Sequence, residues 1–465
     1  MPDSNKFLTL LSTLPPARQR AFGHFLAGKN TIAGSELADA FRVLDQAPRA
    51  PDPKTLHATA FPDREFREVR VRRLYSDLTA ALYEFLAQEE IREQPVERML
   101  LGLRHLQHAE LEKHRRSQFR NLRRTLDHSP LRNADHALQE YRFATFRDRH
   151  DPTEQDAYRN TDHHLEVFYL SNKLRLFCET AALARAHPDR PVPTLAPGLL
   201  ARAADYTEAA VVAYRSLVLL YLEPDRVEHF HRYKTFLHQH IRRFDHYEQQ
   251  NLFVHALNYC IDTKINLGRN DFFEELFELY RDALETGILL RHGHLPPEHY
   301  KNIITVGMRA GRLQWIEAFI QTHTDRLPPE HRADAEAYNL AKLYFHRNDH
   351  DRVLEQLRAV TDRNDRYAFG SKILLLKTYF QLGEDRSLQS LLESFRLYVR
   401  RHPRLSAPVR RRYLSFLKIF KRLVRLNPYE RAEWAQFRTA VVEEEGLLER
   451  EWFLGILEER AGSRE

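Results

Sequence analysis

Cysteine is nearly absent from this chain, which has two among its 465 residues, Cys178 and Cys260. So few thiols cannot build the disulfide framework on which small secreted domains depend, so we expect a reducing compartment. Each cysteine lies in an apolar stretch of helical character. Both are therefore predicted to be small buried side chains.

Long apolar runs and an export signal are lacking as well. No stretch approaches the roughly 18–20 apolar residues that a membrane-spanning helix needs. The apolar residues at 7–14 have neither the basic start nor the small-residue cleavage site of a signal peptide. We expect a cytoplasmic protein without a membrane span.

Glycine is scarce at 15 residues, whereas charged residues make up 29% of the chain. The commonest residues are good helix formers, and 28 Phe and 20 Tyr supply apolar bulk for packing between helices. The chain is also too long for a single compact core. These features predict an all-α protein, built as an α-solenoid of antiparallel helix pairs with a helical N-terminal region.

Proline-rich stretches at residues 47–53 and 187–193 indicate boundaries between segments. Within the first half, apolar residues spaced three and four apart predict one long buried helix face, formed by Val71, Leu74, Leu78, Leu82 and Phe85. The predicted segments are short helices at 1–50, long helices at 54–187, helical repeats at 197–402, and a basic helix with acidic capping helices at 403–465.

Regular spacing is the strongest signal in the second half. Five residues recur at an offset of 35, with Leu340, Tyr344, Asn348, Val353 and Leu357 matching Leu375, Tyr379, Gly383, Leu388 and Leu392. Gly311 precedes Asn348 by 37 residues, and Gly268 precedes Gly311 by 43. The sequence Leu-Pro-Pro-Glu-His also occurs twice, at 295–299 and 327–331.

A period near 34 residues with two helices per unit is typical of tetratricopeptide repeats, and residues 245–402 resemble that family. Leu340, Ala341 and Tyr344 stand at the family's packing positions. Leu376 and Leu388 depart from the pattern, because the family prefers small residues there. The resemblance implies a solenoid with a groove for a protein or peptide. As a whole the chain resembles bacterial helical-repeat proteins, a resemblance that implies no function.

Positive charge is concentrated in one region. The net charge is +6, and residues 396–426 contain eleven basic residues and no acidic one. The rest of the chain, with eleven fewer positive charges, is therefore net −5. On a helix, six of these cations fall within one arc and form a candidate site for anions or an acidic partner: Arg410, Arg411, Lys418, Lys421, Arg422 and Arg425.

The alternative interpretation of this basic helix is a solvated face whose charges pair with Glu443, Glu444 and Glu445. A second basic helix is predicted over residues 104–124, where Glu110 and Glu112 interrupt the positive charge. Whether the two basic patches share one surface is left open.

Motifs for catalysis, cofactors or metals are weak throughout. Residues 23–31 approach a phosphate-binding loop, but Asn30 stands where the motif needs Ser or Thr, and the segment itself has helical spacing. The densest set of metal-ligand types lacks two histidines four apart; it consists of His150, Glu154, Asp156, Asp162, His163, His164 and Glu166. No nucleophile motif is present. We therefore predict no cofactor, no metal and no enzymatic activity.

Two functions remain. The first is a cytoplasmic scaffold or adaptor that binds a protein or peptide through its helical-repeat surface. The second is an RNA- or DNA-binding helical-repeat protein that uses the basic C-terminal helix. Phosphate contacts release counterions, so the second predicts a steep loss of affinity with salt and the first does not. The sequence leaves the partner and the oligomeric state undetermined.

Overall fold

The computed structural model describes residues 5–29, 32–46, 51–108, 111–150, 157–187, 189–191, 193–291, 293–361, 365–403, 405–427 and 429–462. Within these ranges the regular structure is helical, apart from one isolated bridge between Arg291 and His294. The all-α prediction is confirmed. The chain divides into two compact units, Met1–Arg215 (unit 1) and Ser216–Glu465 (unit 2). The predicted segments 1–50 and 54–187 lie in unit 1, and 403–465 lies in unit 2.

Unit 1 contains ten α-helices and the start of an eleventh among its described residues. They are α1 (Lys6–Ser12), α2 (Pro16–Ala27), α3 (Ile32–Gln46), α4 (Pro53–Ala60), α5 (Glu68–Glu93), α6 (Pro95–His108), α7 (Glu112–His128), α8 (Ala134–His150), α9 (Ala157–Ala186), α10 (Leu199–Ala203) and α11 (Ala209–Leu222). Helix α11 continues into unit 2.

Helix α5 is the centre of the first core of unit 1, and helices α1 to α4 all pack against it. The five apolar residues predicted to share a face, Val71 to Phe85, are all buried there. Aromatic rings from α1, α2 and α3 complete the core, with Phe22 and Phe41 in an edge contact at 5.0 Å. Pro53 and Pro95 are the first residues of α4 and α6, where a missing N–H costs no hydrogen bond.

The predicted single helix over residues 104–124 is wrong. Helix α6 ends at His108 and α7 begins at Glu112. The two helices pack against each other and bury Leu100, Leu103, Leu122 and Leu126 in one core. This burial favours two packed helices over one long exposed helix, because tertiary packing outweighs local helix propensity.

Unit 2 continues with twelve further α-helices in the described residues. They are α12 (Val227–His240), α13 (His246–Asn258), α14 (Phe272–Glu285), α15 (Pro297–Arg309), α16 (Leu313–His323), α17 (Arg332–His346), α18 (His350–Ala359), α19 (Asp365–Leu382), α20 (Asp385–Arg401), α21 (Ala407–Arg425), α22 (Arg431–Glu443) and α23 (Arg450–Gly462). Each helix from α12 to α23 packs against the next one in the chain. Helices α15 and α17 also touch, as do α17 and α19.

The turns between paired helices share one backbone feature. Gly268, Gly311, Asn348 and Gly383 have φ values of 92°, 70°, 59° and 70°. Glycine adopts this left-handed conformation without steric cost, and asparagine is among the few other residues that tolerate it. These are the four residues that the spacing in the sequence aligned, so the offsets have a structural reason.

The C-terminal helices α19 to α23 form one aromatic core. Fully buried rings include Phe395, Phe416, Phe420, Phe437 and Phe453. The predicted acidic capping helices contribute to this core, with Trp434, Trp452 and Leu457 partly buried. Residues 430–459 thus cover the apolar face of α21.

Two further expectations concern thiols and membranes. Cys178 and Cys260 are free and buried, as predicted. Burial raises the pKa of both thiols, so neither is poised to react. None of the helices in the described ranges has the combination of length and apolarity that crossing a membrane requires.

Candidate functional site

Helix α21 turns one face into the core and the other outward. Phe416, Leu417, Ile419, Phe420 and Leu423 are buried. Of the six cations in the predicted site, three are exposed (Arg411, Lys418 and Arg425), and three are half-buried (Arg410, Lys421 and Arg422).

Two of the six cations have partners within the protein. Arg410 donates from Nη2 to the carbonyl oxygens of His402 at 2.9 Å and Leu405 at 3.3 Å. Lys421 Nζ lies 2.9 Å from a carboxylate oxygen of Glu393. The other four form neither an ion pair nor a side-chain hydrogen bond with any residue that the structure describes: Arg411, Lys418, Arg422 and Arg425. We call these four residues the α21 basic face.

The alternative in which this helix pairs with Glu443, Glu444 and Glu445 is wrong for the contacts described. Ser415 Oγ donates to Glu444 Oε1 at 2.5 Å, and Arg412 Nε donates to the carbonyl oxygen of Gly446 at 3.0 Å. Neither contact is an ion pair, because the Glu444 carboxylate meets a neutral hydroxyl and the Arg412 guanidinium meets a backbone carbonyl. The α21 basic face keeps its positive charge.

Sequence reasoning missed a second surface, on helices α15, α17 and α19. Five of its side chains are cationic or aromatic: Arg309, Lys342, Phe345, Lys377 and Phe380. The Nζ atom of Lys377 lies 4.8 Å from the ring centroid of Phe345, on the preceding helix of the same set. Lys377 is only 9% exposed, which is unusual for a lysine. We call these five residues the Lys–Phe surface.

The sequence did carry a signal for this surface. Residues 342–345 read Lys-Leu-Tyr-Phe and residues 377–380 read Lys-Thr-Tyr-Phe, at the same offset of 35 that relates the packing residues. A lysine and a phenylalanine repeated at that offset occupy equivalent positions on two stacked helices. The pattern could have been found by asking which non-packing residues repeat.

The start of α23 lies against the Lys–Phe surface. Glu449 Oε2 is 2.7 Å from Lys377 Nζ, and Glu451 pairs with Arg309. The Trp452 ring centroid lies 5.3 Å from Lys377 Nζ and 5.7 Å from the Phe380 centroid. Two carboxylates and one indole thus meet three of the five side chains that define the surface.

Positive charge exceeds negative charge at the Lys–Phe surface. Burial lowers the pKa of Lys342 from 10.5 to about 8; the carboxylate of Glu449 opposes the shift, and Lys301, Lys377 and Arg309 add to it. Lys301 and Lys342 have no ion-pair partner among the described residues. A site of this kind favours a negatively charged ligand, because the ligand's charge would offset the repulsion between these cations.

Helix α7 carries the other basic patch, around a cavity of about 470 Å³. Five arginines line it, together with Glu112, Phe119 and Phe143: Arg115, Arg116, Arg120, Arg123 and Arg147. Glu112 pairs with both Arg115 and Arg116. Arg123 forms two bonds to Glu140, at 2.6 and 2.8 Å. Much of this charge is therefore compensated within unit 1.

The weaker motifs find no support in the described residues. No group of three or more His, Cys, Asp or Glu side chains is arranged to hold a metal there. His163 pairs with Glu208 at 2.6 Å, whereas Glu154 and Asp156 lie outside the described residues. Residues 23–27 belong to α2, which ends at Ala27 with Gly28 as its cap.

Comparison with protein-family models, with curated proteins and with solved structures finds no match to this chain. The resemblance to tetratricopeptide repeats accordingly remains a prediction from the spacing.

Proposed function

We propose that unit 2 contains an α-solenoid of tetratricopeptide-like helix pairs, and that the chain is a non-enzymatic adaptor that binds a segment of a partner protein on the Lys–Phe surface. Chain-neighbour packing of the helices supports the first part, and so does the left-handed residue that recurs between paired helices. In such a stack, equivalent residues of successive pairs line one continuous face.

The observation that carries the binding proposal is the close approach of Lys377 to Phe345. It places equivalent Lys and Phe side chains of two successive pairs in one patch. Arg309 and Lys342 extend its positive charge along α15 and α17. Aromatic side chains and arginine are enriched at protein-binding interfaces, and this surface offers both in Phe345, Phe380 and Arg309.

Affinity capture from a nuclease-treated cell extract tests this proposal. The bait is the full chain in three forms. One is unchanged, and the first variant carries Lys342→Gln and Lys377→Gln. The control carries Arg411→Gln and Lys418→Gln, which change the charge by the same amount. We expect a defined protein partner with the unchanged bait and the control, and its loss with the first variant. Circular dichroism and the urea midpoint establish that each bait is folded.

The opposite pattern would count against the proposal. If the same partner survives the Lys342 and Lys377 substitutions but is lost with Arg411 and Lys418, binding occurs at the α21 basic face. A partner retained by both variants would place the site on neither surface.

A second candidate function, binding of RNA or DNA, rests on the α21 basic face. Its four cations have no described partner, and they extend from Arg411 to Arg425 along one helix, a distance of about 21 Å. Phosphates at that spacing would restore the missing ion pairs. An unpaired cation on a helix whose other face is buried is available to a ligand without breaking an existing contact.

Salt dependence tests the second candidate. Fluorescence anisotropy with a labelled single-stranded RNA between 50 and 200 mM salt should give a log–log slope of about −3 if four phosphates are contacted. Replacing Arg411, Lys418, Arg422 and Arg425 with Gln should remove binding. An unchanged slope in that variant would show that this face does not bind the RNA.

A further inference from the structure

The segment formed by Glu449, Glu451, Trp452 and Phe453 has two roles in the structure. Phe453 is fully buried in the core shared by α19 to α23, so it anchors the segment. The other three side chains contact the Lys–Phe surface through two ion pairs and an aromatic contact. The anchor and the surface contacts are thus made by different side chains of one helical turn.

Backbone strain is present at the most important of these contacts. Glu449 has a φ of 57°, in the left-handed region that is unfavourable for most residues with a Cβ atom, glutamate among them. Three residues earlier the chain uses glycine for the same conformation, since Gly446 has a φ of 64°. A glutamate in this conformation sets strain against the ion pair that it forms with Lys377. Strain of this kind is found preferentially at binding sites and switches.

A second unfavourable feature lies beside it. The indole Nε1 of Trp452 is buried and finds no acceptor among the described residues. Buried indole N–H groups usually donate a hydrogen bond, because leaving one unsatisfied is costly. The ring itself is well packed, stacked on Phe420 at a centroid distance of 5.4 Å. The segment therefore matches the surface well in shape but leaves a hydrogen-bond donor without an acceptor.

Charge is also incompletely matched. The segment brings a carboxylate to Lys377 and another to Arg309, whereas Lys301 and Lys342 have no acidic partner among the described residues. An external segment with more carboxylates would neutralise more of these cations. The segment that now occupies the surface is thus acidic and aromatic. An external segment could bind more favourably if it lacked the backbone strain, satisfied the indole N–H and paired with more of the cations.

We propose that residues 449–452 are an intramolecular ligand of the Lys–Phe surface, and that the external partner is an acidic protein segment that displaces them. This inference rests on the proposed adaptor function of that surface. The partner presents a carboxylate and, three residues later, an aromatic side chain, because that spacing places both on one side of a helical turn. In the free protein the surface is occupied, and the partner must compete for it.

The probe is a labelled synthetic peptide with the sequence of residues 447–459, titrated against the full-length protein. Glu449→Gly removes the internal carboxylate and with it the ion pair to Lys377, which should release the surface. Glycine accepts the left-handed conformation, so the loop and unit 2 should stay folded. The matched control is Asn348→Gly, which places glycine at the other left-handed non-glycine position among the described residues and keeps the backbone hydrogen bond from residue 348 to the Phe345 carbonyl. We expect at least tenfold tighter peptide binding by the Glu449→Gly protein than by the unchanged protein or the control.

Two changes should cancel that gain. Adding Lys377→Gln to the Glu449→Gly protein should abolish binding, and so should replacing the tryptophan of the peptide with alanine. Equal peptide binding by the unchanged and Glu449→Gly proteins, or binding by neither, would contradict the proposal that residues 449–452 are an intramolecular ligand. Binding that persists without the tryptophan would show that the ligand does not need an aromatic side chain.

Extract capture with the Glu449→Gly bait separates this inference from the adaptor proposal. If the partner depends on Lys342 and Lys377 but Glu449→Gly does not increase its recovery, the adaptor function is supported. The proposal that residues 449–452 compete with the partner is then contradicted. If the peptide binds the Glu449→Gly protein through Lys377 but no partner is captured by any bait, the internal contact is real and the adaptor proposal fails.

Discussion

Helices α7 and α21 have similar densities of positive charge, yet their cations are in opposite situations. In α7, Glu112 pairs with Arg115 and Arg116, while Asp127 and Glu140 hold Arg123. Helix α21 has no acidic residue of its own, and four of its cations have no described partner. A run of Lys and Arg therefore marks a binding face only where acids are out of reach. The α21 basic face meets that condition, and α7 largely does not.

The two helices also differ in how they are anchored. Helix α21 buries five large apolar residues in a core to which five helices contribute. Helix α7 buries only Leu122 and Leu126, with Phe119 packed at the edge of its core. Substitutions in the core should therefore have a large effect on α21, and substitutions of charged residues should have the larger effect on α7.

The largest expected effect comes from removing a ring beneath α21. Phe416→Ala deletes a fully buried side chain and should lower the free energy of unfolding of unit 2 by about 3–5 kcal/mol. Trp315, Trp434 and Trp452 are the only tryptophans and all lie in unit 2. Their fluorescence during urea unfolding therefore reports on that unit.

The comparison variant is Phe119→Ala on α7, followed by circular dichroism because unit 1 lacks tryptophan. Its ring is only partly buried, so a loss below about 2 kcal/mol is expected. A Phe416→Ala protein that loses no more stability than Phe119→Ala would show that the two helices are anchored equally well.

The second largest expected effect is a loss of stability from a charge substitution, and it is larger for α7 than for α21. Arg123→Gln leaves the buried carboxylate of Glu140 with His136, 3.6 Å away, as its remaining ion-pair partner among the described residues. Loss of the paired hydrogen bonds should destabilise unit 1 by about 2–3 kcal/mol. Arg425→Gln on α21 removes an exposed cation without a described partner and should change stability by less than about 0.5 kcal/mol.

Thermal and urea unfolding followed by circular dichroism measure both variants. A loss for Arg425→Gln as large as that for Arg123→Gln would mean that the α21 basic face stabilises the fold. Its availability to a ligand would then be in doubt.

Sequence patterns predicted the features that depend on local periodicity. The buried face of α5 follows from spacing within one helix. The offsets also aligned the four residues found at left-handed turns, although they did not predict that conformation. The break between α6 and α7 could not be predicted in this way, because no Pro or Gly marks it and the burial of Leu100 against Leu126 decides it.

The Lys–Phe surface lay partly within reach of the sequence. The offset of 35 shows that Lys342 and Lys377 are equivalent, but not what lies against them. Lys377 and Glu449 are 72 residues apart, and no local pattern relates two positions so distant in the chain. Only the folded arrangement brings the acidic segment to these lysines.

Lys342 differs from the cations of both α7 and α21. It has neither an ion-pair partner among the described residues nor full exposure to water. Burial lowers its pKa from 10.5 to about 8 in the folded protein. Between pH 8 and 10.5 the unfolded chain therefore binds a proton that the folded chain has released. The stability of unit 2 should rise with pH in that interval, because the cost of a buried charge disappears.

The expected gain between pH 7.5 and 9.5 is on the order of 1–2 kcal/mol, smaller than the losses expected for Phe416→Ala and Arg123→Gln. Urea unfolding followed by tryptophan fluorescence at both pH values measures it. Lys342→Met removes the titrating group, so the rise should vanish in that variant while persisting in the control Lys418→Met, which removes an exposed lysine. If Lys342→Met leaves the rise unchanged, another group titrates. Lys342 would then be as well solvated as the α21 basic face, and the Lys–Phe surface would lack the unbalanced charge that favours an acidic ligand.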